Sequence, residues 1–334
     1  MKLQIVKLYE YHSDFKHPIV TPKTKLNYRK VLIVEIIMDT DQHFFGECNA
    51  FETDWYATET IAIVQQQTIK WFKQYQNHSF DDFEAVQKAL DDLIEFPATR
   101  SMLIMAFYQM FYELKSFSVP YGATVSGLNE SNLKQLNVTR PHRVKIKWTN
   151  HILEDIKILS QLSFQPYIVV DANETVKNDE VHKLKALADK SLLYIEEPFK
   201  SLEILSHIDE GALPPVAIDE KAISKNMIKQ IIDNYAVEVV VLKPFRLGGI
   251  DRVLEIIELL KEKEIKIVIG GMYEYGLSRY FTAMLAQYAD YPSDITPEGY
   301  YFQHDMAKGV GILKGGSIYF EPPLVNKTQF KRIY

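Results

Sequence analysis

The sequence predicts an α/β protein: a (β/α)7β TIM-like barrel with an N-terminal α+β capping domain. Three observations carry this expectation. Five apolar runs in the second half each end in a charged side chain, at Lys147, Asp171, Glu196, Asp219 and Lys243, at intervals of 24, 25, 23 and 24 residues. That interval holds one strand, one helix and two short loops. Helical segments lie between the runs, so the strands are joined by crossovers and pair in parallel. The opening section instead reads as strands followed by helices, the order of an α+β unit.

Residues 1–116 form the expected capping domain. LQIVKLYEY alternates, and KVLIVEIIMDTDQHFFGEC reads as strand, Asp-rich turn, strand. TETIAIVQQQTIKWFKQYQ and FDDFEAVQKALDDLIEF carry apolar residues at helical spacing. Ser79 is the candidate N-cap of the second. PATRSMLIMAFYQMFYELKSF reads as a mostly buried helix. Residues 117–300 form the expected barrel. Its strands are ATVSGL, the five charged-ended runs, KIVIGGMYE and, around Asp294, SDITP. Its helices are HILEDIKILSQL, NDEVHKLKALADK, SLEILSHID, NMIKQIIDNY, DRVLEIIELLKEK and LSRYFTAMLAQYA. The tail, residues 301–334, is β-prone and is expected to return to the first domain.

Composition narrows the partners. At 334 residues the chain can build a full barrel and a smaller domain. A net charge of −6, with no basic run, argues against nucleic acid or an anionic membrane. The N-terminus, MKLQIVKLYEY, has no apolar signal core, and the longest apolar stretch, near Met102 to Tyr112, is too short to span a bilayer. The single cysteine, Cys48, excludes an internal disulfide framework and fits a reducing, cytoplasmic compartment. Cys48 reads as packing rather than as a nucleophile. The outer helical faces leave a homo-oligomer open.

The five strand-end charges run lysine, three carboxylates, lysine. In a barrel they surround one site. Three carboxylates on adjacent strand ends suit Mg²⁺, or Mn²⁺ in its place, and no Cys/His cluster competes for a zinc assignment. Asp171, Glu196 and Asp219 are therefore the expected metal ligands. Lys145 and Lys147 are two apart, so both face the same side of one strand. A neighbouring ammonium, a metal ion and desolvation would all favour the neutral, basic form of Lys147. Lys243 comes from the other side of the metal. Together these parts predict removal of the proton α to a substrate carboxylate, with the resulting charge held by the metal.

In order, spacing and strand position these residues resemble the enolase superfamily, in its muconate-lactonizing subgroup. The matching motifs are K-x-K at Lys145 to Lys147, D-x-N at Asp171 to Asn173, E-E-P at Glu196 to Pro198, D-E at Asp219-Glu220 and K-P-x-R-x-G-G at Lys243 to Gly249. G-E-C at Gly46 to Cys48 and W-Y-x-x-E-T at Trp55 to Thr60 extend the resemblance to the capping domain. For such proteins a lysine base and a Mg²⁺-stabilised enediolate are expected. NAFETDWY, GGMYEYG, YPSDITP and YFQHD resemble the o-succinylbenzoate synthase family within the subgroup. That resemblance implies a small-molecule carboxylate substrate and a syn dehydration in menaquinone biosynthesis. Lys147 would abstract the proton and return it to the leaving hydroxyl, while Lys243 stays cationic against the ring.

Asn173, Glu197 and Glu220 would orient ligands or lysines, or serve only as strand-end polar groups. Gly270, Gly271 and Met272 would bring backbone N–H groups to the substrate tail, or form a simple turn. Lys145 would line the substrate side. Tyr11 to Lys25 would be a loop of the cap that closes over substrate, or an ordinary surface loop. Lys221 and Tyr275 depart from the family pattern, in which serine is common at both positions. A racemase or epimerase on the same scaffold is the main rival, because it too needs two lysines. The chain carries His304-Asp305 where dipeptide epimerases of the subgroup have D-x-D. A muconate cycloisomerase and a non-catalytic relative complete the alternatives.

Overall fold

The first sheet follows from alternation. In β1 (Leu3–Val20) Tyr11, Ser13 and Phe15 are buried and the residues between them exposed. It pairs antiparallel with β2 (Lys25–Met38), which pairs with β3 (His43–Cys48). One face of this sheet, with Leu8, Val34 and Ile36, packs on Trp71, Met102 and Phe107. These come from α1 (Ile61–Tyr75) and α3 (Pro97–Phe111), with α2 (Phe83–Leu90) beside them. The other face, with Tyr9, Tyr11, Val31 and Ile33, joins the core of the larger unit. The N-terminal sheet is thus covered on both sides. The structure, a computed structural model, describes residues 1–21, 23–188, 192–209 and 211–334.

Beyond β4 (Phe117–Pro120) the strands become short and parallel. β5 (Gly122–Val125), β6 (Arg143–Lys147), β7 (Tyr167–Asp171), β8 (Leu192–Glu196), β9 (Val216–Ile218), β10 (Val239–Leu242) and β11 (Lys266–Ile269) form one sheet in chain order. Helices alternate with them: α4 (Glu130–Thr139), α5 (Ile152–Ser160), α6 (Val181–Ala188), α7 (Lys225–Asn234), α8 (Pro244–Leu247), α9 (Ile250–Glu262) and α10 (Gly276–Ala286). Where SDITP is expected to supply a strand, Asp294 adds one isolated parallel bridge, to Gly270. The tail divides. β12 (Val310–Lys314) and β13 (Ser317–Phe320) make a sheet with β4, and β14 (Lys331–Arg332) pairs with β1. No helix among the described residues is long and apolar enough to cross a membrane.

The structure corrects three expectations. Tyr11 to Lys25 is not a loop: it continues β1 and turns into β2, with Thr21 N–H donating to Thr24 C=O. Residue 22 of that segment lies outside the described residues. Alternation runs as far as Phe15, an anchor packed on Tyr273, Tyr301 and Phe302 and bridged to Phe302. Ser79 does not cap α2. Asp82, immediately before the helix in extended conformation, accepts from Ala85 N–H at 2.8 Å, while Ser79 bridges to Lys2. SLEILSHID forms a 3₁₀ stretch, Leu202–His207, in place of the expected α-helix. The expected helix over 178–190 is present as a 3₁₀ turn and α6; residues 189–190 lie outside the described residues.

Candidate active site

The period of two sorts the strand side chains. On β6, Val144 and Ile146 face the outer core, so Arg143, Lys145 and Lys147 share the inner face. The same alternation turns Val169 and Asp171, Tyr194 and Glu196, Val241 and Lys243 inward. Val169, Tyr194, Ala217, Val239, Val241 and Val268 pack together as a separate inner layer. Lys147 pairs in register with Asp171, and Asp171 with Glu196. The five charged residues therefore stand at the carboxyl ends of neighbouring strands, above an inner layer that is apolar except for the buried Arg143 and Lys145.

Each acid is met by a cation of the chain. Lys147 Nζ donates to Asp171 Oδ2 and to Asn173 Oδ1, both at 2.5 Å. Lys243 Nζ donates to Asp219 Oδ2 at 2.5 Å, and Arg246 donates to Asp219 Oδ1 at 2.8 Å. Lys145 Nζ lies 3.2 Å from both oxygens of Glu196 and 2.6 Å from Asp294 Oδ2. Lys147 is the exposed member, its side chain 44% accessible against 9% for Lys243. Lys145 lies on the same strand face, below Lys147, but its charge is already balanced. Burial opposes its ammonium form, yet Asp294 and Glu196 outweigh burial and hold its pKa well above the ordinary lysine value.

Behind these groups sits a layer that orders them. Glu197, fully buried, accepts the N–H of Asp219 at 2.8 Å and of Lys221 at 3.0 Å. Asn173 donates to Glu220 at 3.4 Å, and the other Glu220 oxygen is buried without a hydrogen-bond partner among the described residues. Burial, then Asp219, push the Glu220 pKa up. Asp219 shows the opposite balance. Burial would raise its pKa, but Lys243 and Arg246 bring it down to about 2.

Among the described residues no three carboxylate, histidine or cysteine side chains already converge as a metal cluster. The donor set still fits a hard divalent cation. It is all oxygen, and Glu196 carries an unrelieved burden. Burial pushes its pKa well above the carboxylate range; Lys145 opposes this, and the charges of Asp171 and Asp219 add to it. A cation shared by the three acids would relieve that repulsion.

The remaining expected residues divide. Gly270 packs directly on Lys243: a β-carbon there would stand 3.2 Å from Lys243 Cε. Gly271 lies under the Glu274 carboxylate, which a β-carbon would strike, and Met272 is half-buried. Cys48 is fully buried and its thiol is pushed up to about 12, chiefly by burial, which leaves no thiolate at neutral pH. Sequence reading missed Tyr56, whose hydroxyl lies 3.4 Å from Lys243 Nζ and 2.9 Å from an Arg246 nitrogen. It missed the partner role of Asp294, and Arg143, which donates to Asp294 Oδ1 at 2.5 Å beneath Lys145. The signal for Arg143 was present: R-x-K-x-K places three cations on one strand face, and such a stack needs acids.

The chain thus combines a parallel α/β unit, with paired lysines and acids at its strand ends, and an N-terminal antiparallel sheet. A family model described as Enolase C-terminal domain-like matches residues 132–322, more than half of the chain, and the protein belongs to the enolase superfamily. It is 26% identical over 330 residues to the o-succinylbenzoate synthase of Bacillus subtilis, covering 92% of this chain and 88% of that protein. It is 24% identical over 259 residues to the N-succinylamino acid racemase of Thermus thermophilus, covering 70% of this chain and 69% of that one. The crystal structure of the dipeptide epimerase from Enterococcus faecalis, complexed with Mg and the dipeptide L-Leu-L-Tyr, superposes with a TM-score of 0.80 at 20% identity, covering 99% of each chain. That likeness shows the fold.

Proposed function

We propose that this chain is an o-succinylbenzoate synthase, a Mg²⁺-dependent carbon–oxygen lyase of menaquinone biosynthesis. It would dehydrate 2-succinyl-6-hydroxy-2,4-cyclohexadiene-1-carboxylate to 2-succinylbenzoate. We also read the seven parallel strands and the Asp294 bridge as a (β/α)7β barrel, with residues 1–116 as cap, 117–300 as barrel and 301–334 as the returning segment. The observation that carries the reaction is the placement of two lysines, Lys147 and Lys243, each against a strand-end carboxylate, one accessible and one buried.

Asp171, Glu196 and Asp219 would hold the cation, which when bound supplies positive charge for the substrate carboxylate. Lys147 takes the proton from the carbon α to that carboxylate once Asp171 no longer holds its amine. The ring C–O bond then breaks as the ring becomes aromatic. Lys147 returns the proton to the departing hydroxyl on the same face, and water leaves. Lys243 keeps its proton: burial disfavours the charge, but Asp219 and then Tyr56 more than offset burial and raise its pKa. A fixed cation beside the ring favours the electron density that builds there. Asn173, Glu197 and Glu220 orient these groups, and Gly270 to Met272 admit the succinyl tail.

An N-acylamino acid racemase is the second reading, favoured by the same lysine pair and by the Thermus relative. An absorbance assay of purified protein with Mg²⁺ separates them, run beside N-succinyl amino acids in D₂O. Fast loss of the cyclohexadiene absorbance, abolished by EDTA, is the expected result. Deuterium exchange into the amino acids without dehydration would move the function to racemisation.

A further inference from the structure

Lys221 stands two residues beyond Asp219, and its three ammonium protons have three acceptors. Nζ donates to the Glu174 carboxylate, to Glu197 Oε2 at 2.7 Å and to the carbonyl of Phe199 at 2.9 Å. Glu174 lies three residues past Asp171, and Glu197 directly follows Glu196. One ammonium therefore joins the chain just beyond the ends of β7, β8 and β9, the three strands whose ends carry the acids.

The segments it joins are unusual. Asn173, Glu174 and Glu197 have φ of +43°, +61° and +42°. Residues with a β-carbon persist in this left-handed region only when their surroundings hold them there. Two of the three are the carboxylates that Lys221 binds. The backbone reinforces the same knot: Glu174 N–H donates to Glu197 C=O at 2.6 Å, and Glu197 Oε1 takes the N–H groups of Asp219 and Lys221. With all three protons committed and the side chain 18% accessible, Lys221 is not placed to meet substrate.

We propose that Lys221 is a positioning residue: it clamps the ends of β7, β8 and β9 so that Asp171, Glu196 and Asp219 can close on one divalent cation. The inference rests on the reading that those three acids hold the cation. Its sign distinguishes it from simple electrostatics. A lysine acting only as a nearby positive charge would repel the cation, so its removal would tighten binding. A clamp predicts the reverse.

Mn²⁺ binding to the purified full-length chain, followed by electron paramagnetic resonance and calorimetry, tests the clamp without any turnover. Lys221→Met is expected to bind Mn²⁺ about tenfold more weakly, the scale on which groups supporting a metal shell act. Lys221→Arg, which keeps donors toward both glutamates, is expected to stay near wild type. Circular dichroism melts check the fold. If Lys221→Met does not fold, Lys221→Gln, which removes the ammonium but keeps a polar side chain toward the two glutamates, is expected to weaken binding by a smaller factor. Unchanged or tighter binding in Lys221→Met overturns the clamp; where that variant cannot be used, unchanged or tighter binding in Lys221→Gln does so. A wild-type chain that binds no Mn²⁺, or binds it equally well as Asp171→Asn and Glu196→Gln, sinks the underlying ligand assignment instead.

Discussion

Replacing Arg100 by methionine tests how the N-terminal helices are held to the parallel-sheet unit. Arg100 projects from α3 of the N-terminal unit to Asp251 of α9, with both guanidinium nitrogens on the two carboxylate oxygens at 2.8 Å. The side chains are 2% and 3% exposed, and Arg100 also donates to the carbonyl of Gly248 at 2.7 Å. Burial works against the Asp251 carboxylate, but Arg100 wins and lowers its pKa. Removing one partner of such a pair leaves a buried charge and costs about 3–5 kcal/mol. At about 2.1 cal/mol/K per residue, the 334-residue chain has an unfolding entropy of about 0.7 kcal/mol/K, so the melting temperature should fall by about 4–7 °C. Scanning calorimetry of Arg100→Met, Asp251→Leu and the double variant reads this directly. The double variant should recover most of the loss, because a buried pair replaced whole by apolar side chains is often close to neutral. A single-variant loss below about 1 kcal/mol, or a double variant as unstable as the two losses added, would refute the reasoning.

Lys147→Ala should cut dehydration and α-proton exchange about 10²- to 10⁴-fold with the fold intact; substantial turnover would remove Lys147 as the base. Asp219→Asn should raise the Mg²⁺ concentration needed for activity and lower the activity itself; an unchanged Mg²⁺ titration would take Asp219 out of the cation shell. Glu35 gives an acid limb to stability. Burial opposes its charge, but hydrogen bonds with Lys327, Tyr9 and His43 outweigh it and lower its pKa to about 2. A depressed carboxylate stabilises the fold above its unfolded value of about 4.5 and loses that contribution as pH falls toward 2. Denaturation titrations should show stability falling across that window, and Glu35→Gln should flatten it; a variant with the wild-type slope would show that the stability change comes from elsewhere.

The strand-end charges were legible because they obey two periods at once. A repeat near 24 residues marks the βα unit, and a repeat of two within each strand decides which side chain faces inward. Both periods are local, so Lys147, Asp171, Glu196, Asp219 and Lys243 could be placed without coordinates. The groups that complete the arrangement obey neither. Asp294 reaches Lys145 and Arg143 across about 150 residues, and Tyr56 reaches Lys243 from the cap. Such pairings depend on how elements pack, and no spacing within the chain encodes them. The hairpin arm shows the converse error. His, Pro, Thr and Lys between Tyr11 and Lys25 read as a loop by composition, yet one anchor outweighed composition. Phe15, the last buried residue of the alternation in β1, packs against Tyr273 and the 301–302 segment. The N-terminal unit therefore touches the candidate site through aromatic packing at Phe15 as well as through the Tyr56 hydroxyl at Lys243 and Arg246. A change at Phe15 should move substrate affinity before it moves the chemistry at Lys147; Phe15→Ala with a lowered kcat and an unchanged KM would contradict that division.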